Sequence, residues 1–256
     1  MLEFAIRLAQ EAGKVLRDNF GRKITISNKG EIDLVTEADL AAEKVIKDLI
    51  SSHYPKHQIL AEESGAFETS SEYRWIIDPL DGTTNYAHGL PIFCVSIALE
   101  RAGEMIIGVI YDPIRDEMFV AERGSGATLN NRSIQTSETE SLKKALLVTG
   151  FPYDVHTNSV NNIDNFANFM KTAQAVRRLG SAAIDLCYVA AGRFDGFWEM
   201  KLNAWDMAAG ALIVEEAGGQ VTAFNGGKFD PFKKEICASN GLIHKEMVTI
   251  LQRRAS

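Results

Sequence analysis

The sequence predicts an α+β fold built in layers, and three observations lead there. Helical patterns lie at both ends and between groups of strands, without the one-for-one alternation of a repeating βαβ barrel. The central strands follow one another across short turns, as in an antiparallel meander. They are apolar at almost every position, which requires helices over both faces.

Residues 2 to 20 set Leu2, Ala5, Ile6, Ala9, Ala12, Val15, Leu16 and Phe20 at helical spacing, and Gly21 ends the pattern. DLVTEADLAAEKVIKDLISSHYP is a second helix. Thr36 with Asp39 forms a capping box, Asp standing in for Glu, and Pro55 stops the helix. QILAEE and YRWIID are strands. IFCVSIALE, MIIGVIYDP and EMFVAER complete the meander, with turns at Ala102-Gly103-Glu104 and at Pro113 to Asp116. The texture changes near residues 132 to 144, which are polar and without period, so a lobe boundary is expected there: 1–140 and 141–256. Beyond it ALLVTGF, FDGFWEM, GQVTAF and EICASN are strands. NNIDNFANFMKTAQ, SAAIDLCYVAAG and AWDMAAGALIVEEAGG are helices, the last stopped by Gly218-Gly219, and the end of the chain is helical.

The 256 residues carry 34 acidic and 27 basic side chains, a net charge of −7. Such a chain is a poor direct nucleic-acid binder, because phosphate contacts need clustered Lys and Arg. Cys94, Cys187 and Cys237 are odd in number and far apart, and they read as buried apolar residues. No cationic leader and no membrane-length apolar run is present, so a cytoplasmic protein is expected. His53, His57, His156 and His244 read as surface residues, and His88 as structural.

The chemistry lies in WIIDPLDGTTNYAHGLP, Trp75 to Pro91. An apolar run opens into Asp78 and Asp81, three apart, followed by Gly82 and two threonines. Alone, Asp-x-x-Asp reads as a turn with a helix cap. Glu62 and Glu63 end another strand, however, and Asp206 opens an apolar helix. So many carboxylates at buried ends repel one another unless cations neutralise them. Mg²⁺ takes oxygen ligands, and two such ions can clamp a phosphoryl group. The Leu80 carbonyl is a further donor. Gly82 and Thr83, opening a helical turn, suit phosphate oxygens, and a threonine hydroxyl there can orient a water with Asp39 behind it. GSGA at Gly124 and RLGSAA at Arg178 lack the Walker lysine, which excludes P-loop chemistry.

These segments resemble the inositol monophosphatase family. Trp75 to Tyr86 matches its first signature, Trp205 to Gly219 its second, and LVTEAD, AEES and RLGSAA match further blocks in the same order. The resemblance implies a five-layer α-β-α-β-α sandwich, usually a homodimer. It implies a lithium-sensitive phosphatase dependent on two or three Mg²⁺ ions, with a metal-binding lobe before residue 140 and a substrate-binding lobe after it. By matched position, Glu62, Asp78 and the Leu80 carbonyl bind one ion; Asp78, Asp81 and Asp206 bind another; and Glu62 reaches a third. Glu63 lies behind them, and Lys29 matches a lysine near the metals. Glu62, Thr83 and Asp39 are the implied catalytic residues. Asp81, Gly82, Thr83, Gly180, Ala182 and Glu199 are the implied substrate contacts. Asn203 stands where animal members carry histidine.

The implied reaction is hydrolysis of myo-inositol-1-phosphate by a metal-activated water, without a phosphoenzyme. Fructose-1,6-bisphosphate, alone or in a dual-specificity enzyme, and histidinol phosphate are alternatives on the same site. Covalent Asp chemistry needs Asp-x-Asp spacing, which is missing here. A non-enzymatic role beside the transcription machinery is the alternative from another class, since some bacterial relatives of the family act there.

Overall fold

The computed structural model describes residues 1–22, 26–28 and 34–253. Helix α1 (Leu2–Asn19) buries Ala5, Leu8, Ala9, Ala12 and Leu16 along one stripe. Strands β1 (Ile26–Asn28) and β2 (Leu34–Thr36) pair as a small antiparallel ribbon. Helix α2 (Glu37–His53) starts later than DLVTEAD suggested, because Thr36 takes extended backbone as its N-cap. The expected capping box is present: Thr36 Oγ1 accepts from Ala38 N at 3.1 Å, and Asp39 Oδ2 accepts from Thr36 N at 2.9 Å.

Next come β3 (Gln58–Ala61), β4 (Gly65–Phe67), β5 (Tyr73–Asp81), the short helix α3 (Thr83–Ala87), β6 (Cys94–Arg101), β7 (Glu104–Asp112), β8 (Glu117–Glu122), β9 (Ala127–Leu129) and β10 (Arg132–Ser133). These strands form one sheet in the order β10-β9-β8-β7-β6-β5-β3-β4. The predicted meander, β6-β7-β8, is its centre, and β3 alone joins its neighbour β5 in parallel.

The rest of the chain supplies β11 (Leu146–Thr149), α4 (Ile163–Met170), β12 (Ala175–Arg177), α5 (Ala182–Ala190), β13 (Gly196–Met200), α6 (Ala204–Glu216), β14 (Gln220–Thr222), β15 (Glu235–Ser239) and α7 (His244–Leu251). Its sheet runs β12-β11-β13-β15-β14, parallel among the first three strands and antiparallel after them.

Three apolar clusters fill the gaps between layers. Leu8 and Ile46, from α1 and α2, pack with Trp75, Ile77, Val95 and Val109 on one face of the large sheet. Ile76, Ala98 and Ile110 point to its other face, against Met207 and Leu212 of α6. The same cluster continues through Leu186 of α5 to Phe197, Ile236 and Ala238 of the small sheet. Phe169 of α4 and Met247 of α7 close the far side over Leu147, Trp198 and Cys237. The result is the five-layer α-β-α-β-α sandwich. Side chains such as Trp75 and Trp198, fully withdrawn from water, contribute about 1.5–3 kcal/mol each or more. Helix α6 is apolar all round because sheets cover both its sides.

All three cysteines are buried and unbridged. Two histidines differ from their surface reading. His244 is buried between Ser239 Oγ and Thr222 Oγ1, each 2.9 Å from a ring nitrogen. His57 is half-buried and accepts from the Trp75 indole at 3.1 Å. No helix among the described residues is long and apolar enough to cross a membrane.

Candidate functional site

Strand β5 runs on to Asp81 and does not end at Asp78, because its register against β6 shifts between the two aspartates. Pro79 has no N–H for the ladder, so an irregularity is where a strand can hold it. Leu80 N turns inward and donates to Asp78 Oδ1 at 2.9 Å. Asp78 is thus buried, while Asp81 keeps part of its surface open to a cleft. Asp81 Oδ2 accepts from Ser181 Oγ at 2.6 Å and from Ala183 N at 2.7 Å, which joins the large sheet to the start of α5.

Two more carboxylates approach this corner. Glu62 follows β3, whose neighbour is β5, and its N–H donates to Ile77 O at 3.2 Å. Asp206 lies in the first turn of α6 and accepts from Asn203 N at 2.7 Å. Burial holds the Asp78 carboxyl well above the usual range, and the charges of Glu62, Asp81 and Asp206 push it further. Asp206 is raised in the same way, by burial first and then by Asp81. Burial also raises Asp81, against the donors Ser181 and Ala183. A divalent cation relieves such a set, and the donors, carboxylates and the Leu80 carbonyl, are the hard oxygens that Mg²⁺ prefers. Among the described residues no three His, Cys, Asp or Glu side chains stand close enough together to hold a metal ion as they are placed. The carboxylates are neighbours within reach of one another's charge, and their donor chemistry suits a hard divalent cation.

Behind the corner, Thr83 Oγ1 lies 3.1 Å from Asp39 Oδ1 and 3.0 Å from Leu80 O. Asp39 has its pKa raised by burial, against the bonds from Thr36 and Thr83. Gly82 caps α3 with φ 100°, and a Cβ there would meet Ile92 O at 2.9 Å. Only glycine fits this turn.

The cleft, about 700 Å³ with its mouth included, is lined by Asp81, Gly82 and Asp206 together with Glu199, Asp185, Arg178 and Lys201. Gly180 and Ala182 form part of its wall. Asn85 of α3 donates to Leu179 O at 2.9 Å and holds that wall in position. Glu199, on β13, approaches so close to Gly150 that any side chain at 150 would collide with its carboxylate. Its pKa is pushed up to about 8, by burial and then by Asp81, with Arg178 opposing.

Of the residues singled out in the sequence, Asp81, Gly82, Gly180, Ala182, Glu199 and Asp206 line one cleft. Asp78 and Leu80 are buried at the same corner, with Thr83 and Asp39 hydrogen-bonded beneath it. Lys29 lies outside the described residues. Arg178, Ser181, Asp185 and Lys201 were missed as site residues. Arg178 and Ser181 stand in RLGSAA, whose look-alike phosphate loop is instead the cleft wall. Asp185 is hidden in an apolar helical pattern. Lys201, at φ 61°, is ion-paired to Asp154 at 2.7 Å, and nothing local in the sequence signals that contact.

The model of the inositol monophosphatase family matches residues 1–256. An inositol-1-monophosphatase of Synechocystis sp. is 49% identical over 248 residues, covering 96% of this chain and 86% of the relative. The Nus factor SuhB of Pseudomonas aeruginosa is 45% identical over 261 residues, covering 98% of this chain and 96% of the relative. The solved inositol monophosphatase of Anabaena superposes with a TM-score of 0.90 at 46% identity, covering 98% of this chain and 94% of that one. Sequence and fold agree over the whole length, and this chain belongs to the inositol monophosphatase family.

Proposed function

We propose that this chain is a Mg²⁺-dependent phosphomonoesterase whose substrate is myo-inositol-1-phosphate. The observation that carries the reading is the gathering of Glu62, Asp81 and Asp206 around the buried Asp78, beside a cleft that Glu199 also lines. Glu62, Asp78, the Leu80 carbonyl, Asp81 and Asp206 would hold two or three Mg²⁺ ions, which acidify water and offset charge on phosphoryl oxygens when bound.

The chain's own residues account for the rest. A hydroxyl has one proton and two lone pairs, so Thr83, donating to Asp39, turns its lone pairs to a water and orients it. The first-turn amides at Gly82 and Thr83 suit phosphate oxygens. Glu199 accepts from a ring hydroxyl, and Gly180 and Ala182 bound the ring. Asp78 Oδ1 is engaged by Leu80 N, and Asp81 Oδ2 by Ser181 and Ala183, which fixes the orientation of both carboxylates.

Fructose-1,6-bisphosphate is the second reading, favoured by Arg178 and Lys201 in the lining of the cleft, cations that a second phosphate would meet. A panel of inositol-1-phosphate, fructose-1,6-bisphosphate and histidinol phosphate at fixed Mg²⁺ separates the three. Inositol-1-phosphate is expected to give the highest kcat/KM, and a higher value for either other ester would overturn the assignment. The family also suggests a homodimer and lithium inhibition, read by sedimentation and by inhibition kinetics. The relative named as a Nus factor suggests a further protein-binding role. That role would be supported if a variant without the metal ligands still served the cell.

A further inference from the structure

The first turn of α5 carries a carboxylate that the reading above leaves unused. Asp185 is 1% exposed, yet it lines the cleft beside Glu199. Its neighbours along the helix, Ala183, Ile184, Leu186 and Cys187, are all buried and apolar, so the pattern has no local use for an acid. Its Oδ1 is buried without a hydrogen-bond partner. Among the described residues the other such side-chain atom is Glu100 Oε2, which has the Arg74 guanidinium at 3.7 Å. Asp185 is in no such ion pair among the described residues. The start of α5 favours a negative charge there, but the helix leaves Oδ1 without a donor. A buried acceptor with nothing to accept is destabilising, and a native protein keeps one where a ligand or water completes it.

The cleft determines which ligand can do so. Asp185 and Glu199 are two acceptors on one part of its wall. Burial, and then the Glu199 charge, raise the Asp185 carboxyl, while Arg178 pulls it the other way. An apolar group beside this pair would leave Oδ1 unpaired, and a group without donors would do the same. A ring bearing several O–H donors satisfies both acids, directly or through one ordered water.

We infer that Asp185 is a specificity-determining residue, accepting from a hydroxyl of a polyhydroxylated leaving group next to the one that Glu199 takes. This rests on the polyol-phosphate reading and extends it to a residue buried in α5. It explains why an unpaired acceptor persists in an otherwise apolar helix.

The test is a cycle of enzyme and substrate changes. KM and kcat are measured for inositol-1-phosphate and its monodeoxy analogues with wild-type enzyme and with Asp185→Leu, which keeps the branched shape but cannot accept. The variant is expected to raise KM for inositol-1-phosphate about tenfold or more. At one ring position, deleting the hydroxyl should cost the wild type a similar factor and the variant nothing further. Undiminished deoxy penalties in the variant, or an equal fall in kcat for every ester, would overturn the inference. If Asp185→Leu does not fold, Asp185→Asn removes the charge at constant shape, and a smaller coupling at the same ring position is expected; none would be fatal. A wild-type enzyme that hydrolyses p-nitrophenyl phosphate but no polyol phosphate would overturn the substrate reading itself, and the Asp185 assignment with it. Turnover of inositol-1-phosphate without the coupling would overturn Asp185 alone.

Discussion

Asp39 serves two elements at once: its Oδ1 meets the Thr83 hydroxyl at 3.1 Å, while its Oδ2 closes the capping box of α2. Helix stability and the orientation of the Thr83 hydroxyl therefore depend on one side chain. Thr83→Val, equal in shape but without the hydroxyl, is expected to lower kcat about 10²-fold and to leave the fold intact. Thr83→Ser should retain most of the rate. Asp39→Ala should lower the rate and also cost about 1–2 kcal/mol from the lost cap. Steady-state kinetics beside urea unfolding checks both, and a Thr83→Val enzyme of normal rate would contradict the arrangement.

Asp78 and Asp81 make a linked prediction about metal and stability. Asp78→Asn removes a buried charge while its amide oxygen can still accept from Leu80 N, so in EDTA the variant should melt higher than the wild type. Mg²⁺ at about 100 times its Kd should stabilise the wild type by about 2.7 kcal/mol, roughly 5–10 °C in Tm, and the variant hardly at all. Turnover should vanish in EDTA, return with Mg²⁺, and be absent in Asp81→Asn. A wild-type Tm indifferent to Mg²⁺ would count against the metal site.

Glu199 gives a pH dependence of defined sign. Its folded pKa of about 8 exceeds the ordinary 4.5, so between those values the folded state holds a proton that the unfolded state has lost. Stability of the metal-free protein therefore falls as pH rises through that window, by up to about 1.4 kcal/mol per pH unit from this group, and levels off beyond it. Glu199→Gln should flatten that part of the profile. Denaturant titrations in EDTA from pH 5 to 9 measure it.

His244 has the opposite slope. Burial lowers its pKa to about 4 from 6.5, so the unfolded chain takes up a proton first as pH falls, and stability drops across that interval. Replacing it with Gln should remove this acid-side loss in the same titrations.

Two glycines separate a role in the fold from a role at the site. Gly82→Ala forces a side chain into φ 100° and against a backbone carbonyl, and should cost more than about 1–2 kcal/mol. For Gly150→Ala the three nearest atoms all belong to the end of the Glu199 side chain, which can swing aside. Stability should hold there, while KM for a polyol phosphate rises about tenfold. Thermal melts and kinetics on the two variants distinguish these outcomes.

Local order along the chain determined a great deal. Thr36 with Asp39 announces a helix start because the capping bond spans three residues. The apolar run from Trp75 to Ile77 announces a strand covered on both faces, since successive side chains alternate. Asp78, Asp81 and Gly82 stand together in the sequence, and the corner they form could be read there. Strands such as β4, β9, β10 and β12 could not be read, because two or three residues carry no period and pair only where a neighbour already exists. Tertiary structure alone decided that Glu62, from the end of β3, and Asp206, from the start of α6, raise the pKa of Asp78. It likewise decided that Asp185 and Arg178 share a cleft with Glu199, and that His244 is buried. Each of these depends on elements far apart in the chain meeting across layers. A sequence encodes that meeting only through the packing of the whole core, and no local pattern carries it.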